Sequence, residues 1–279
     1  MPKTLEKPEV TEGFYYRDSD HMYFMDGKPM TGCTTILGVI AKPALIQWAA
    51  NMVCEHINTN GQQVRAELLR NVEGIELRDA VTGEDILLVA DKKLIEEART
   101  AHAKKRDKGA EQGTDTHALV ENYINFCIAN DDGKAVDIPT PIIQSFIDWA
   151  IKENIRFIAS EKQLYSKELW VAGTADLIFE KDGKTFLGDI KTYKKIWDRV
   201  PFIQCAGYAL MWEEMNTRTE EWVAATAKIR PQIAGYCIIN LPKERSFNES
   251  EDIKWSFDVE GDTNAFRAAV TLYRTLENF

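Results

Sequence analysis

The sequence lacks long apolar runs, closely spaced cysteines and an excess of positive charge, and each absence excludes a class of protein. No stretch approaches the roughly 20 apolar residues that a membrane span needs, and the first residues lack the apolar core of a signal peptide. We therefore expect a cytoplasmic protein without membrane contact. The five cysteines are scattered and form no CxxC pair: Cys33, Cys54, Cys127, Cys205 and Cys237. This pattern favours reduced thiols over a zinc site or a disulfide framework.

The charge balance is acidic, with 44 acidic and 34 basic side chains and a formal net charge of -10. It argues against a protein that coats nucleic acid passively, because such binding needs a broadly basic surface. The charge is uneven, since residues 248–262 hold six acids and one base, whereas residues 184–199 hold five bases and two acids. An enzyme with a local basic track for phosphate groups is therefore not excluded.

Length and composition indicate a folded globular protein. The chain has 279 residues, of which 44% are hydrophobic and 10% aromatic, and it contains no low-complexity tract. A chain of this length forms one large domain or two small ones, and it can bury a substantial core without disulfides or structural metals.

The first 112 residues predict a β-hairpin followed by helices. Residues 14–40 alternate like strands around Asp26-Gly27, a favoured two-residue turn. A helix is predicted from Pro43, and the charged residues 61–111 predict a helical insertion. We expect this N-terminal region, residues 1–112, to pack on a core formed by 113–279 as one compact unit.

The remainder predicts a sheet with helices. Thr114, Asp115 or Thr116 is expected to cap a helix that reaches about residue 129. Further helices are predicted at 139–154, 201–215 and 264–279, and strands at 156–166, 169–180, 184–192, 235–242 and 253–259. The order of these elements predicts an α/β (α+β) fold with a central mixed sheet flanked by helices.

One predicted hairpin places two carboxylates opposite each other. If Asp182 and Gly183 form a two-residue turn, directly paired residues have numbers that sum to 365, so Asp176 faces Asp189. Lys191 lies on the same face, because side chains alternate along a strand. Two buried aspartates in this position repel each other, and Lys191 together with Mg²⁺ or Mn²⁺ would offset their charge. The alternative is a hydrated edge where water solvates both carboxylates.

Four motifs carry a family resemblance. In chain order they are Gly113-Thr114-Asp115-Thr116-His117, Gly173-Thr174-Ala175-Asp176, Asp189-Ile190-Lys191 and Gln204-Cys205-Ala206-Gly207-Tyr208. They resemble the histidine, GxxD, (D/E)xK and QxxxY motifs of the RecB-type branch of the PD-(D/E)xK nuclease superfamily, which includes phage-type exonucleases. The resemblance covers roughly residues 113–215 and implies a restriction-endonuclease-like core.

The resemblance also implies a function. It implies a DNA exonuclease that depends on Mg²⁺ or Mn²⁺, acts on linear ends, and serves phage-type recombination, repair or replication. The resemblance suggests a single-strand annealing or recombination protein as a partner, and it is compatible with an oligomer of this chain. Related nucleases that hold an iron–sulfur cluster use one early and three clustered late cysteines, a pattern that this chain lacks, so we expect no cluster.

The hairpin and the resemblance together assign the catalytic residues. Asp176 and Asp189 would hold the metal, and Lys191 would assist the attacking water and stabilise charge on the phosphate. The resemblance adds the backbone carbonyl of Ile190 and the imidazole of His117 as ligands. Glu121 shares a helix face with His117 and is either a ligand or a solvated side chain. Glu161, on the preceding strand, has less support, and His21, His56 and His102 are expected to be structural.

Other candidates would orient or bind the substrate. Gln204 and Tyr208 share a helix face and would position the phosphate or the metal shell, a role that depends on the resemblance. Basic candidates for phosphate contact are Lys194, Lys195 and Arg199 after the last motif strand, Lys184 before it, and the run Lys104, Lys105, Arg106 and Lys108. Aromatic candidates for base stacking, or alternatively for the core, are Trp170, Tyr193, Trp197 and Phe202.

Two other functions stay open at this point. A structure-specific endonuclease, or a nuclease acting on RNA, would use the same residues. A catalytically silent DNA-binding protein would keep the fold without cleavage, although every acidic and basic motif position is filled here.

Overall fold

The structure, a computed structural model, describes the backbone of residues 12–40, 43–70, 80–130, 140–217 and 232–277. Side chains are described for 12–40, 46–61, 94–105, 116–130, 140–216 and 232–277. The chain forms two compact units, one of Met1–Ile40 with Asp115–Phe279 and one of Ala41–Thr114. No helix among the described residues is both long and apolar enough to cross a membrane.

The larger unit contains all the described strands. They are β1 (Phe14–Arg17), β2 (Met22–Met25), β3 (Lys28–Gly32), β4 (Arg156–Ser166), β5 (Val171–Lys181), β6 (Lys184–Lys191), β7 (Ile233–Asn240) and β8 (Ile253–Ser256). The helices, with the smaller unit included, are α1 (Cys33–Ile36), a 3₁₀ turn (Leu37–Val39), α2 (Pro43–Arg70), α3 (Ala80–Asn130), α4 (Pro141–Lys152), α5 (Val200–Thr217), α6 (Glu249–Asp252) and α7 (Val259–Glu277).

The sheet is mixed, as the order of elements predicts. Its strands follow the order β1-β2-β3-β5-β6-β7-β8, and β4 pairs with β5. The β3–β5 and β6–β7 pairs are parallel, and the other pairs are antiparallel. The predicted α/β class with a mixed sheet flanked by helices is therefore confirmed.

Both predicted two-residue turns are present. Asp26 and Gly27 have φ of 50° and 74°, and Asp182 and Gly183 have φ of 51° and 73°. Left-handed conformation at both central residues defines the turn that matches the twist of a β-hairpin, and Asp followed by Gly adopts it at little cost. The second turn sets the register of β5 against β6, which includes the pairs Ile178↔Leu187 and Lys181↔Lys184.

The N-terminal hairpin belongs to the central sheet. Thr31 of β3 pairs with Val171 of β5 in parallel. Residues up to Ile40 thus belong to the larger unit, and Ala41–Thr114 form the smaller one. The predicted division at residue 112 stays a prediction. Helices α2 and α3 cover the predicted helical insertion except for residues 71–79, which lie outside the described residues.

The predicted helix start at Thr114, Asp115 or Thr116 is wrong. All three residues lie inside α3, which runs continuously from Ala80 to Asn130. A capping residue is only a local signal, and Thr or Asp in a helix interior costs no more than about 0.7 kcal/mol relative to Ala. The predicted end near residue 129 agrees with the end of α3 at Asn130.

Two apolar clusters cover the sheet. Side chains of α5 and α7 pack with Ile178 and Leu187, whereas α4 and the end of α3 pack with Leu177 and Phe186. Neighbouring strand residues thus alternate between the clusters, as the pleat requires. Ala175 departs from this alternation, because it packs in the cluster of Ile178 and Leu187. The regular alternation is interrupted at Glu161 of the neighbouring strand, which has a φ of 44°.

A candidate metal centre at the open end of a hairpin

The two motif aspartates lie where β5 and β6 separate. The ladder follows the predicted register as far as Leu177↔Gly188, one step before the two aspartates. Beyond that pair, the backbone N–H of Ile190 donates a hydrogen bond of 2.7 Å to Oδ2 of Asp176. The hairpin therefore opens at the aspartates, so that their side chains adjoin a gap in the ladder.

Asp189 is buried with one ion-pair partner among the described residues. Its residue exposure is 0%, and the Nζ of Lys191 lies 2.6 Å from its Oδ2, the distance of a charge-assisted ion pair. In the described part of the chain, no donor hydrogen-bonds to Oδ1. Buried polar atoms almost always have partners, and an exception in a native structure commonly marks a functional site or a bound ion.

Asp176 belongs to a group of three potential metal ligands. His117 from α3, Glu161 from β4 and Asp176 from β5 each offer one atom, and these atoms all lie within 4.8 Å of one another. Within the group, Nδ1 of His117 lies 3.8 Å from Oδ2 of Asp176. The structure thus brings together two predicted ligands, His117 and Asp176, and adds Glu161.

The position of Glu161 follows from the register of β4. Ser160 pairs with Leu177 and Lys162 with Ala175, so Glu161 lies opposite Asp176. Its φ of 44° is left-handed, a conformation that costs a non-glycine residue about 1–2 kcal/mol. The sequence supports Glu161 only weakly, because the four-residue turn between β4 and β5 fixes no register by itself. Counting back from Ser166↔Val171 would have identified the pair.

Burial and mutual repulsion raise the pKa values of the acids. Burial, reinforced by the charges of Asp176 and Glu121, raises the pKa of Glu161 to about 7. Burial also raises the pKa of Asp189 to about 6, with Lys191 opposing the increase and Asp176 adding to it. The pKa of Asp176 is raised by burial, against the charge of Lys191 and the hydrogen bond from Ile190.

The two basic groups respond differently. Burial, together with the positive charge of Lys191, lowers the pKa of His117, so the imidazole is neutral at pH 7 and keeps a lone pair for a metal. Burial alone would lower the pKa of Lys191, but the charges of Asp189 and Asp176 outweigh it and raise that pKa. Lys191 is therefore a charged ammonium group beside two carboxylates.

The residues fit a divalent cation. Asp176, Asp189 and Glu161 carry three negative charges when ionised, and Lys191 offsets one of them, so the site has a net charge of -2. Carboxylate oxygens with one imidazole are suitable ligands for Mg²⁺ or Mn²⁺. A bound cation of charge +2 would balance the site and remove the repulsion that raises the acid pKa values.

Two further predicted ligands lie close to this group. Glu121 is partly buried, and its charge contributes to the raised pKa of Glu161. The backbone of Ile190 hydrogen-bonds to Asp176 and also to His117, where it favours the protonated imidazole. Both predictions stay predictions, since no ion is present to define coordination.

Gln204 and Tyr208 of α5 form a hydrogen-bonded pair next to the acids. Nε2 of Gln204 donates to the Tyr208 hydroxyl at 2.9 Å. Burial raises the pKa of Tyr208, with smaller contributions from acidic neighbours that include Asp176. Gly173 allows this approach, because a Cβ there would lie 2.6 Å from the Tyr208 ring. The motif glycine therefore has a packing role.

The structure separates the basic candidates. Lys194 and Lys195 are exposed on the segment that follows β6. Arg199 instead donates a hydrogen bond of 2.7 Å to the buried Asp262 and one of 3.2 Å to Ser256. Arg199 therefore has a structural role, because its guanidinium group pairs with a buried acid, and its predicted contact with phosphate stays a prediction.

The remaining basic candidates belong to β6 and α3. Lys184 begins β6 at the turn, the opposite end of that strand from Lys191. Lys104 and Lys105 are exposed on α3 within the smaller unit. The side chains of Arg106 and Lys108 lie outside the described residues.

Lys243 is a basic residue near the site that sequence patterns did not predict. Its charge lowers the pKa of His117, which places it near the imidazole. It follows β7, whose Asn240 pairs with Lys191 in parallel. The carboxyl ends of two parallel strands meet at one edge of a sheet, so this pairing brings the end of β7 to the site. No motif marks that strand, and only knowledge of the β6–β7 pairing would have identified Lys243.

The aromatic candidates also differ from one another. Trp197 is 74% exposed and Tyr193 is 49% exposed, whereas Phe202 is buried in the core. The indole N–H of Trp170 donates to the carbonyl of Pro29, which gives Trp170 a structural partner. Tyr193 and Trp197 therefore stay candidates for stacking, and Phe202 is a core residue.

Comparisons with known proteins add no family to this geometry. Neither a scan against protein-family models nor a search of curated proteins gives a match to this chain. The site is therefore interpreted from its own chemistry: a lysine, a neutral histidine and three carboxylates around a gap in a sheet. Acids and a base in this arrangement are able to hold a cation and to act on a phosphate ester.

Proposed function

We propose that this protein is a divalent-metal-dependent nuclease that hydrolyses phosphodiester bonds of DNA. The observation that carries the proposal is the buried carboxylate of Asp189, which lies next to a group of metal-ligand type. Its Oδ2 pairs with Lys191, and its Oδ1 has no donor among the described residues. A structural aspartate at 0% exposure would be expected to have donors on its oxygens.

The resemblance to PD-(D/E)xK nucleases supports the same function. Its motifs contribute His117, Asp176, Lys191 and Tyr208 from α3, β5, β6 and α5, and these four side chains share one neighbourhood in the fold. We propose a restriction-endonuclease-like core on this basis. Motif residues that are separated by up to 91 positions in the chain have no other evident reason to converge.

Mg²⁺ or Mn²⁺ would be held by His117, Glu161, Asp176 and Asp189. When bound, the ion supplies Lewis acidity for the phosphate oxygens. The protein contributes ligands from four separate elements, α3, β4, β5 and β6, whose positions are fixed by sheet pairing and core packing. Such a preformed arrangement avoids reorganisation when negative charge develops during the reaction.

Lys191 would act on the reacting phosphate directly. Its side chain is 14% exposed, so the ammonium group is shielded from bulk water but is still reachable from the site. A charged donor in such a place stabilises negative charge that grows on the phosphate and orients the attacking water. Its raised pKa keeps the group protonated through the neutral range, which assigns it an electrostatic role.

Tyr208 and Gln204 would orient the substrate or the water. Gln204 is partly exposed, whereas Tyr208 is buried and accepts the hydrogen bond from Gln204. The Tyr208 hydroxyl thereby keeps its own proton for donation to an acceptor in the site. This pair therefore contributes a directed donor beside Asp176.

Linear DNA is the proposed substrate, with exonucleolytic cleavage from its ends. We base this on the resemblance to phage-type exonucleases, which also suggests a recombination or single-strand annealing protein as partner. The exposed Lys194 and Lys195 next to β6 provide positive charge for the phosphate backbone. Contact through so few cations predicts binding that weakens with salt.

Cleavage of end-labelled linear DNA tests the function. Wild-type protein is expected to degrade it with Mg²⁺ and to leave it intact with EDTA. Lys191→Ala should abolish most cleavage, whereas Lys184→Ala is the matched control because Lys184 is exposed at the other end of the same strand. Equal loss in the two variants would contradict the assignment of Lys191.

The substrate's topology separates the remaining alternatives. Covalently closed circular DNA is expected to stay intact, and its cleavage would indicate an endonuclease. DNA binding without cleavage under any divalent metal would indicate a silent DNA-binding protein of the same fold. Cleavage of RNA in preference to DNA would reassign the substrate.

A further inference from the structure

An exposed aromatic and basic segment follows the catalytic strand. We call residues 192–199 the stacking loop. In it, Trp197 is 74% exposed, and the Nζ of Lys195 lies 5.2 Å from the centre of its ring. Tyr193 is 49% exposed in the same loop. Two exposed aromatic rings beside a lysine in one eight-residue segment are the groups that proteins use to stack and neutralise single strands.

Hydrogen bonds fix the start of the stacking loop. The backbone N–H of Tyr193 donates to Oδ1 of Asn240 at 2.9 Å, and Nε of Arg245 donates to the carbonyl of Lys194 at 3.2 Å. Asn240 and Arg245 are both held by the buried Asp252. One buried carboxylate therefore holds both groups that fix the backbone of this segment.

The end of the loop is fixed as well. Arg199 hydrogen-bonds to the buried Asp262, and the N–H of Val200 is capped by Asp198 at 3.0 Å. A loop held at both ends presents Trp197 with little entropy left to lose on binding. Such preorganisation increases affinity for a ligand that matches the loop.

The loop adjoins the metal centre. It begins directly after Lys191, and Tyr193 is close enough for the charges of Lys191 and Asp189 to act on its hydroxyl. Residues 190–197 contain three lysines and no acid. A phosphate chain that reaches the site therefore meets positive charge and an open indole face along this loop.

We propose that the stacking loop binds an unpaired DNA strand by stacking a base on Trp197 while Lys194 and Lys195 contact the adjacent phosphates. This inference rests on the proposed nuclease function and specifies its substrate as a single-stranded end. Each base of a strand offers a π face, so the binding would be largely independent of sequence.

An unpaired strand fits better than a duplex for a geometric reason. Inside a duplex, both faces of each base are covered by its neighbours, so an indole ring has no face to stack on. An unpaired strand exposes base faces and phosphates together, which matches the alternation of lysine and tryptophan in the loop.

The test measures binding of the full-length protein in EDTA, where metal-dependent cleavage does not occur. The probes are a fluorescent oligothymidylate and a blunt duplex of the same length. Trp197→Ala is expected to weaken oligothymidylate binding by about 5- to 150-fold, the range that loss of one stacked base produces. Trp197→Phe should retain most of the affinity, because it keeps an aromatic face.

The matched control is Phe257→Ala. Phe257 is 69% exposed and contacts Phe186, which lies five residues before Lys191 and thus about 17 Å away along β6. This variant should bind like the wild type. The proposal is overturned if the duplex binds as tightly as the single strand, or if Trp197→Ala and Phe257→Ala behave alike.

The proposed stacking loop and the proposed nuclease function can be refuted separately. Trp197-dependent binding without Mg²⁺-dependent cleavage would support the stacking loop and refute the nuclease. Cleavage that is unchanged by Trp197→Ala, with unchanged binding, would refute the stacking loop and leave the nuclease standing.

Discussion

Asp189 and Asp252 are both fully buried aspartates near one edge of the same sheet, yet their surroundings are opposite. Asp252 accepts hydrogen bonds from Asn240, from both terminal nitrogens of Arg245 and from the backbone N–H of Asn248, at 2.6–2.8 Å. Asp189 has Lys191 at 2.6 Å from Oδ2 and, among the described residues, no donor on Oδ1. The protein satisfies both oxygens of one carboxylate and only one oxygen of the other.

The pKa values follow the same contrast. Burial alone would raise the pKa of Asp252, but the hydrogen bonds from Arg245, Asn248 and Asn240 outweigh it and lower that pKa. At Asp189, burial prevails over Lys191 and raises the pKa to about 6. A buried acid that has its own donors, such as Asp252, stabilises the fold. A buried acid with too few donors, such as Asp189, costs stability when it is ionised and is the type of group that a cation would stabilise.

The largest expected effect is on cleavage. Asp189→Asn should lower the rate by about a thousandfold or more, because a metal ligand contributes several kcal/mol and each 1.36 kcal/mol changes the rate tenfold. End-labelled DNA with saturating Mg²⁺ gives the measurement. Asp182→Asn is the matched control, since Asp182 is exposed in the turn of the same hairpin and Asn tolerates its φ of 51°.

Asp252→Asn should behave differently in that assay. Below its unfolding temperature, this variant is expected to keep Mg²⁺-dependent cleavage within about tenfold of wild type, because Asp252 acts only through the loop anchors. Loss of cleavage as complete as that of Asp189→Asn in a folded protein would break the comparison.

The next effect is on stability. Asp252→Ala should lower the free energy of unfolding by about 1–3 kcal/mol, because the buried amide of Asn240 loses its acceptor. Asp189→Asn should instead raise the stability of the metal-free protein at pH 7, since it removes the cost of a buried charge. Urea unfolding in EDTA measures both, and a decrease for Asp189→Asn would contradict the account.

The third effect concerns pH. A folded-state pKa raised from 3.8 to about 6 means that folded Asp189 holds its proton more tightly than the unfolded chain does. The metal-free protein should therefore lose up to about 3 kcal/mol of stability as the pH rises from about 4 to about 6. Asp252 has the opposite sign, because its stabilisation is present at neutral pH and is lost as the pH falls below about 4.

Urea unfolding of wild type and Asp189→Asn across this range isolates the contribution of Asp189. The difference between the two curves should grow with pH in EDTA and disappear with saturating Mn²⁺. Parallel curves in EDTA would show that Asp189 does not carry the raised pKa.

The smallest effect concerns Tyr208. Tyr208→Phe should slow cleavage by about tenfold, since one donor beside Asp176 is lost, and should lower stability by about 1 kcal/mol through the unpaired Gln204. Both the cleavage rate and the free energy of unfolding of Tyr208→Phe are measured. A loss of stability with unchanged cleavage would show that Tyr208 is structural, as Asn240 is in the Asp252 network.

The sequence predicts one of these two acids and not the other. The turn at Asp182-Gly183 identifies Asp189, because two-residue turns fix the register of a hairpin. Asp252 lies in an acid-rich stretch. Its burial depends on Asn240, which lies 12 residues earlier on β7, and on Arg245, which belongs to no motif. Local patterns therefore predict strands and turns, but networks that join distant segments are not visible in them.

The same limit applies to the metal centre and to α3. His117, Asp176 and Lys191 were predicted from motifs, whereas Glu161 required the register of β4 against β5 and Lys243 required the β6–β7 pairing. The continuity of α3 through Thr114 was mispredicted because a cap signal is local, and whether the helix continues is decided by what lies on both sides.

Crystals soaked in Mn²⁺ give the most direct test of the claim that Glu161, Asp176 and Asp189 form a cation site. Anomalous diffraction should show a Mn²⁺ peak contacted by His117, Glu161 and Asp176, with Asp189 adjoining it, and Asp189→Asn should weaken or remove the peak. A wild-type crystal without a peak among these side chains, at a Mn²⁺ concentration that supports DNA cleavage, would contradict the claim.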